Sequence, residues 1–308
     1  MSGGALYLEH FGLGETPFSL TPDTSFFYAY RSHQEALDTL LVALRAGEGF
    51  IKVTGEVGLG KTLVCRKLLR SLGDPFVTAY IPNPHLSPGA MRQAIADELS
   101  VKLPTRATQN EVVRAITRRL LELATEGKQV VVILDEAQEL PAATLEAVRL
   151  LTNLETEKRK LLQVVLFGQP ELDRRLNERN IRQLKQRITF SYVLRPLDID
   201  AMDEYIRHRL RIAGYRGAQL FDRAALRKIF VASRGTPRLV NILCHKAMMV
   251  AYGRGLDAIG RQEATPAIED TEGAMRVRNW WPLAAGGALA GMLLGFVWYY
   301  HGGGWPLP

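Results

Sequence analysis

Five short apolar runs alternate along residues 50–194 with longer segments whose apolar residues recur every three or four positions. Runs of this length predict β-strands, and the recurring pattern predicts helices between them. The strands are expected at 50–54, 76–81, 130–134, 161–167 and 188–194. Because the run at 130–134 is apolar at every position, it is typical of a strand buried on both faces of a parallel sheet. The alternation therefore predicts an α/β fold with a parallel sheet flanked by helices.

The pattern changes twice after the last predicted strand. Residues 198–255 show only helical periodicity, so we expect an α/β domain at 1–195 followed by a small all-helical domain at 196–256. Residues 257–280 contain Pro266 and several acids without apolar periodicity, which predicts a linker.

Residues 281–300 carry no charged side chain over a length that can span a membrane. Trp280 and Trp281 stand at one end and Trp298, Tyr299 and Tyr300 at the other, as in the aromatic belts of membrane helices. Arg276 and Arg278 precede the segment and none follows it, so the positive-inside rule predicts a cytoplasmic N-terminal part and a short tail at 301–308 across the membrane. The alternative is a buried hydrophobic helix.

The N-terminal region offers two further predictions. Residues 6–30 mix aromatic residues with turn formers, which favours an extended segment packed across a domain. The spacing of Ser32 and Glu35 predicts a capping box at the start of the following helix. His33 would then be a polar residue of the first helical turn rather than a ligand.

The stretch FIKVTGEVGLGKTLV joins the first predicted strand to a predicted helix. Its G-x-x-x-x-G-K-[ST] spacing between strand and helix is typical of loops that bind polyphosphates. Gly55 and Gly60 would let the backbone turn so that its N–H groups face one concavity. Lys61 would contact the β and γ phosphates, and Thr62 would ligate Mg²⁺; a turn without a ligand is the alternative. The expected nucleotide-binding residues here are Gly55, Glu56, Val57, Gly58, Leu59, Gly60, Lys61, Thr62 and Leu63.

Polar residues follow two other predicted strands, at the sheet edge where open α/β sheets bind ligands. Asp135 would hold Mg²⁺ through water, and Glu136 would polarise the water that attacks the γ phosphate. Without the phosphate loop upstream, the same two residues could simply cap the next helix. Gln169 is placed to contact the γ phosphate or the attacking water, and its alternative role is that of a turn residue.

Composition narrows these possibilities only slightly. The 308 residues are 47% hydrophobic and 23% charged, as is ordinary for a globular protein. The formal net charge of +7 permits contact with nucleic acid or an anionic membrane and requires neither. The sequence shows no Cys/His metal-ligand cluster and no readable Ser-His-Asp arrangement. Its two cysteines, Cys65 and Cys244, are expected to be buried free thiols.

Several blocks together resemble the ExeA/GspA family of AAA+ ATPases, and most closely its MshM branch, which serves biogenesis of mannose-sensitive haemagglutinin pili. The resemblance covers residues 6–250 and rests on YLEHFGLGETPFSLTPD, SHQEALDTLLVAL, GEVGLGKT, VVILDEAQEL, LFGQPEL, LKQRITFSYVLRPL and SRGTPRLVNIL. It implies the P-loop NTPase (AAA+) fold, ATP and Mg²⁺ as ligands, and a helical lid at 196–256.

The resemblance also implies roles for single residues. Gln169 occupies the sensor 1 position, where many AAA+ proteins carry Asn, Ser or Thr. Arg238 in Gly-Thr-Pro-Arg matches sensor 2, which contacts the nucleotide from the lid. Arg187 stands before the last strand, as the arginine finger does, with Arg182 as the alternative. The aromatic N-terminal segment would border the adenine.

These features lead us to expect a single-pass protein of the bacterial inner membrane with a cytoplasmic ATPase domain. Its partners would be further copies of the chain, inner-membrane secretion or pilus assembly proteins, and membrane lipid; nucleic acid is not expected. One alternative is a transposition-type ATPase related to TniB and TnsC, which would bind DNA. Another is a scaffold that binds nucleotide without hydrolysing it.

Overall fold

A computed structural model of the chain describes residues 6–21, 23–82, 85–155, 160–178 and 181–275, together with Met292 and Phe296. Its strands are β1 (Phe50–Thr54), β2 (Phe76–Ile81), β3 (Gln129–Leu134), β4 (Leu162–Gly168) and β5 (Ile188–Val193). Its helices are α1 (Leu6–His10), α2 (Arg31–Arg45), α3 (Lys61–Ser71), α4 (Pro88–Glu98), α5 (Gln109–Thr125), α6 (Ala142–Leu151), α7 (Glu171–Arg175), α8 (Arg182–Lys185), α9 (Ile199–Ile212), α10 (Arg223–Ser233), α11 (Pro237–Gly253) and α12 (Arg261–Glu269).

The five strands form one parallel sheet in the order β2-β3-β4-β1-β5. The predicted strands and the predicted parallel sheet are confirmed, with ends that differ by about one residue. Because all strands run the same way, the residues that follow β1, β3 and β4 meet at one edge. Gly55, Asp135 and Gln169 stand at these three positions.

Alternation along the buried strands supplies the cores on both faces of the sheet. Val130, Val132 and Leu134 of β3 face one core with α4, α5 and α6. Val131 and Ile133 face the other core, against α2 and α3. Both faces of the central strands are therefore covered by helices, which explains why residues 130–134 of β3 are all apolar.

The helices α9–α12 enclose a third core that also receives the N-terminal segment. Tyr7, Phe11, Phe18 and Phe26 are buried there among residues of α9, α10 and α11. Residues 6–10 form a helix and Thr24–Phe26 a 3₁₀ turn, so the segment is less extended than expected. The predicted division placed this segment in the α/β domain at 1–195. Its buried aromatic residues pack instead with the helical part.

The linker prediction for 257–280 is wrong over its first part. Residues Arg261–Glu269 form α12, which packs against α10 and α11. The shared core buries Ala264, Ala267 and Ile268, which stand at helical spacing. Their burial offsets the loss of the backbone hydrogen bond that Pro266 cannot donate. This weak apolar face is too short to stand out in the sequence.

Within the described residues, no helix has the length and apolar character needed to cross a membrane. The predicted span at 281–300 lies outside that part of the chain, apart from Met292 and Phe296. The tail at 301–308 lies outside it as well.

Candidate functional site

The loop between β1 and α3 turns at two glycines in the left-handed region. Gly58 has φ of 84° and Gly60 has φ of 87°, and Gly60 directly precedes the first residue of α3. Gly55, which was expected to make the turn, is needed instead for close packing. A Cβ atom at Gly55 would lie 2.9 Å from the Cβ atom of Leu194. The two glycines thus turn the chain directly into the N-terminus of α3, and a helix N-terminus favours phosphate.

Lys61 lies inside this loop with only 5% of its surface exposed. Its Nζ atom donates hydrogen bonds to the carbonyl oxygens of Gly55 at 2.7 Å and Glu56 at 3.2 Å. Burial lowers the pKa of Lys61, and the negative charges of Glu136 and Asp135 oppose that shift. Lys61 is therefore a buried amino group close to two carboxylates. A phosphate bound there would interact strongly with it, because water is largely excluded from the lysine.

Asp135 stands at the end of β3 with 3% of its surface exposed. Burial raises its pKa, while hydrogen bonds from the Thr62 hydroxyl and the Glu136 backbone N–H act to lower it. The structure therefore brings together Thr62 and Asp135, the two residues expected to hold Mg²⁺. Their oxygens fit that metal, because Mg²⁺ in nucleotide sites takes one or two protein oxygens and completes its shell with phosphate and water.

Glu136 has an unusual backbone and a constrained side chain. Its φ of 49° and ψ of 39° are left-handed, which is uncommon for a residue with a side chain. Its Oε2 atom accepts hydrogen bonds from Gln169 Nε2 at 3.3 Å and from Gln138 Nε2 at 2.8 Å. The expected catalytic residues Glu136 and Gln169 are thus in direct contact. Gln138 was not singled out from the sequence, because only its buried position beside both residues reveals it.

A cavity of about 410 Å³ opens beside these residues. Gly58, Lys61, Thr62, Glu136 and Gln169 line it on the sheet side, so part of the predicted phosphate loop and three of the four predicted catalytic residues surround one space. The N-terminal segment, expected to border the adenine, lines it with Ser19, Leu20, Thr21 and Asp23. The helical part adds Tyr205, Arg209, Arg238 and Asn241, of which the sequence had indicated only Arg238.

Arg238 is held directly against the phosphate loop. Its backbone N–H donates to the carbonyl oxygen of Gly58 at 3.2 Å. A Cβ atom at Gly58 would lie 2.7 Å from the Cβ atom of Arg238, so the two backbones meet with no room for a side chain between them. The first turn of α11 therefore closes the cavity at the loop.

His33 lies in the first turn of α2, as expected, and its ring is buried behind the phosphate loop. It is 3% exposed, and its Nε2 atom donates to the carbonyl oxygen of Leu59 at 2.8 Å. Its Cε1 atom would lie 2.9 Å from a Cβ atom at Gly60. Burial lowers the pKa of His33 to about 4, so the ring is neutral near pH 7. The predicted capping box is also absent, since Ser32 Oγ accepts from the Arg195 N–H instead.

The two arginine-finger candidates lie away from the cavity of their own chain. Arg187 directly precedes β5, is exposed, and donates to Thr152 Oγ1 at 3.5 Å. Arg182 begins α8 and is also exposed. Neither residue lines the cavity, so a contribution from either one would have to come from another copy of the chain.

Comparisons with known proteins show what the chain is similar to. Residues 44–176 match a family described as "AAA domain". The chain is also similar to the general secretion pathway protein A of Aeromonas hydrophila, with 42% identity over 289 residues. That alignment covers 94% of this chain and 52% of the relative, so the chain spans about half the length of that protein.

Solved structures show the same fold at low sequence identity. The ORC2 protein of Aeropyrum pernix, in ADPNP and ADP complexes, has a TM-score of 0.59 at 17% identity and covers 82% of this chain and 72% of its own. The Cdc6p protein of Pyrobaculum aerophilum has a TM-score of 0.61 at 19% identity, over 80% of this chain and 70% of its own. The chain therefore has the P-loop AAA+ fold.

Proposed function

We propose that this protein is an ATPase that binds ATP with Mg²⁺ in the cavity beside the phosphate loop and hydrolyses it. The observation that carries the proposal is the convergence of Lys61, Asp135, Glu136, Gln169 and Arg238, which come from four separate chain segments. A turn with a purely structural role does not require a buried lysine beside two carboxylates. A bound triphosphate would place negative charge next to Lys61, and its metal ion would place positive charge next to the carboxylates.

Each residue has a defined task in the proposed reaction. The amides of the phosphate loop and Lys61 hold the β and γ phosphates, while Arg238 contacts them from α11. Thr62 and Asp135 hold Mg²⁺, which would offset the negative charge on the phosphates. Glu136 accepts a hydrogen bond from the attacking water, and Gln169 orients the same water or the γ phosphate. Arg187 of a neighbouring copy completes the site, so hydrolysis requires self-association.

The proposed cellular role is supported by the similarity to a protein of the general secretion pathway. In this proposal, ATP hydrolysis drives assembly or remodelling of an envelope machine for type II secretion or for a pilus of the mannose-sensitive haemagglutinin kind. Residues 281–300 anchor the protein in the bacterial inner membrane, with the ATPase part in the cytoplasm. Its partners are then further copies of the chain and the inner-membrane proteins of that machine.

The test uses phosphate release and nucleotide binding with the full chain in detergent or lipid. Glu136→Gln keeps the size and hydrogen-bonding capacity of the side chain but removes its negative charge. We expect phosphate release to fall by about 100-fold or more, in the range typical of a general base, while Mg-ATP affinity stays within about threefold. Wild-type protein that binds Mg-ATP in an oligomer but releases no phosphate would refute the ATPase proposal and support a nucleotide-binding scaffold.

The formal charge of +7 favours one second candidate, a DNA-binding ATPase of the transposition type. Its signature is binding to duplex DNA that weakens steeply as salt rises. Recovery of the protein in the membrane fraction, without such binding, supports the envelope role. Soluble protein with salt-sensitive DNA binding supports the second candidate.

A further inference from the structure

Gln138 lies between the two polar residues expected to handle the attacking water. It belongs to the 3₁₀ turn Ala137–Glu139 and is 5% exposed. Its Nε2 atom donates to Glu136 Oε2 at 2.8 Å, and its Oε1 atom accepts from the backbone N–H of Gln169 at 2.9 Å. One amide side chain therefore joins the end of β3 to the end of β4.

The turn that carries Gln138 is itself fixed from a third element. Arg175 of α7 donates a hydrogen bond from its guanidinium to the carbonyl oxygen of Gln138. Gly168, at the end of β4, leaves space for the Gln138 side chain, since a Cβ atom there would lie 3.2 Å from its Oε1 atom. The side chain thus has little freedom to move away from Glu136.

Glu136 needs such support more than most residues. Its left-handed backbone is strained, and a residue persists in this conformation only where its surroundings hold it there. Gln138 and Gln169 both donate to Oε2, so the other carboxylate oxygen, Oε1, is the one left to accept from water in the cavity. Rotation of the carboxylate would break both hydrogen bonds.

We propose that Gln138 is the positioning residue for the catalytic carboxylate. It fixes the direction of Glu136 and its distance from Gln169, and it touches neither nucleotide nor water. This inference rests on the proposed ATPase function and adds a residue to its machinery. Because Gln138 does not line the cavity, its loss should change the rate of hydrolysis and leave nucleotide binding intact.

The main variant is Gln138→Met, which keeps the length of the side chain and removes both hydrogen bonds. A misplacement of about 1 Å at a reacting group can reduce the rate by about 100-fold, so we expect kcat to fall by about 10- to 100-fold. KM and the Kd for Mg-ATP should stay within about twofold. Gln138→Glu is the second variant, in case the first fails to fold. It keeps the acceptor for the Gln169 N–H but places a second negative charge beside Glu136, and kcat should fall in the same way.

Gln163 supplies a matched control. It is a buried glutamine of β4, 2% exposed, whose Nε2 atom donates to the carbonyl oxygens of Leu44 at 2.9 Å and Glu48 at 3.0 Å. Gln163→Met should lower Tm but leave kcat per folded molecule within about twofold.

The outcomes separate the two proposals. A Gln138 variant with wild-type kcat, or one that loses no more activity than Gln163→Met, would overturn the positioning role while the ATPase function stands. A variant that loses affinity and kcat together would also overturn it, because the residue would then act in binding. Wild-type protein without hydrolysis would remove the ATPase proposal itself, and this inference with it.

Discussion

Replacing Gly58 by alanine tests how closely the helical part must approach the phosphate loop. Gly58 has φ of 84°, and its added Cβ atom would lie 2.7 Å from Arg238 Cβ and 3.1 Å from Thr236 Cγ2. Its carbonyl oxygen also accepts the backbone N–H of Arg238 at 3.2 Å. The substitution therefore strains the loop and pushes α11 away from it at the same time.

The two effects have different sizes. Left-handed backbone costs alanine about 1 kcal/mol relative to glycine. Carbon atoms pack best at about 3.5–4.0 Å, so α11 must move back by about 1 Å. The clashing atom is Arg238 Cβ, which is bonded to the backbone and cannot rotate away. Overpacking of this kind costs about 1–3 kcal/mol. We expect a total loss of about 2–4 kcal/mol in the free energy of unfolding and at least a tenfold loss of Mg-ATP affinity, because Arg238 moves with the helix.

Gly127→Ala is the matched control. Gly127 has φ of 80° but no atom within 4 Å of an added Cβ atom, so it carries only the backbone strain. Urea unfolding should show a loss of about 1 kcal/mol there, and titration with a fluorescent ATP analogue should show unchanged affinity. If Gly58→Ala bound nucleotide as tightly as Gly127→Ala, the contact between α11 and the loop would not contribute to binding, and this reasoning would be refuted.

Three further predictions follow from the site. Arg187→Ala should leave Mg-ATP binding unchanged and lower hydrolysis by about 1,000-fold or more, in the range of other arginine fingers. Arg182→Ala should leave hydrolysis unchanged, and the reverse result in a phosphate-release assay would exchange the roles of the two arginines. Asp135→Asn should raise the Mg²⁺ concentration needed for half-maximal hydrolysis by about tenfold, and an unchanged requirement would remove Asp135 from the metal site. Burial lowers the pKa of His33 from 6.5 to about 4, so between these values the unfolded chain binds a proton that the folded chain does not. The free energy of unfolding should therefore fall, by up to about 3 kcal/mol, as pH drops from about 6.5 to about 4, and His33→Gln should flatten this dependence in urea titrations at several pH values; equal slopes for both proteins would contradict it.

The features that the sequence predicts well are those that depend on local pattern. The central strands β3 and β4 are apolar because both of their faces are buried, so their positions follow from the runs at 130–134 and 161–167. The phosphate loop also follows from local spacing, because the turn and the helix start need particular residues in order. Asp135 and Gln169 could be placed because parallel strands bring their carboxyl ends to one edge.

Contacts between distant segments could not be predicted in this way. Ser32 and Glu35 have the spacing of a capping box, but the Ser32 hydroxyl accepts from Arg195 instead. His33 contacts Leu59, and Gln138 contacts Gln169, across 26 and 31 residues of chain. Periodicity reports burial within one element and does not say which residues of two elements meet. The helix at Arg261–Glu269 was missed for the same reason, since its burial depends on α10 and α11 rather than on a strong apolar face of its own.

The central claim is that the loop from Gly55 to Thr62 binds the triphosphate of ATP through the buried Lys61. Isothermal titration of Mg-ATP into the purified full chain, with wild type beside Lys61→Ala, tests it most directly. We predict saturable binding of one ATP per wild-type chain and a loss of affinity of at least about 100-fold in the variant, because a charged hydrogen-bonding partner of the phosphates is removed. No binding by wild-type protein in detergent, lipid or oligomeric form, or equal binding by both proteins, would contradict the claim.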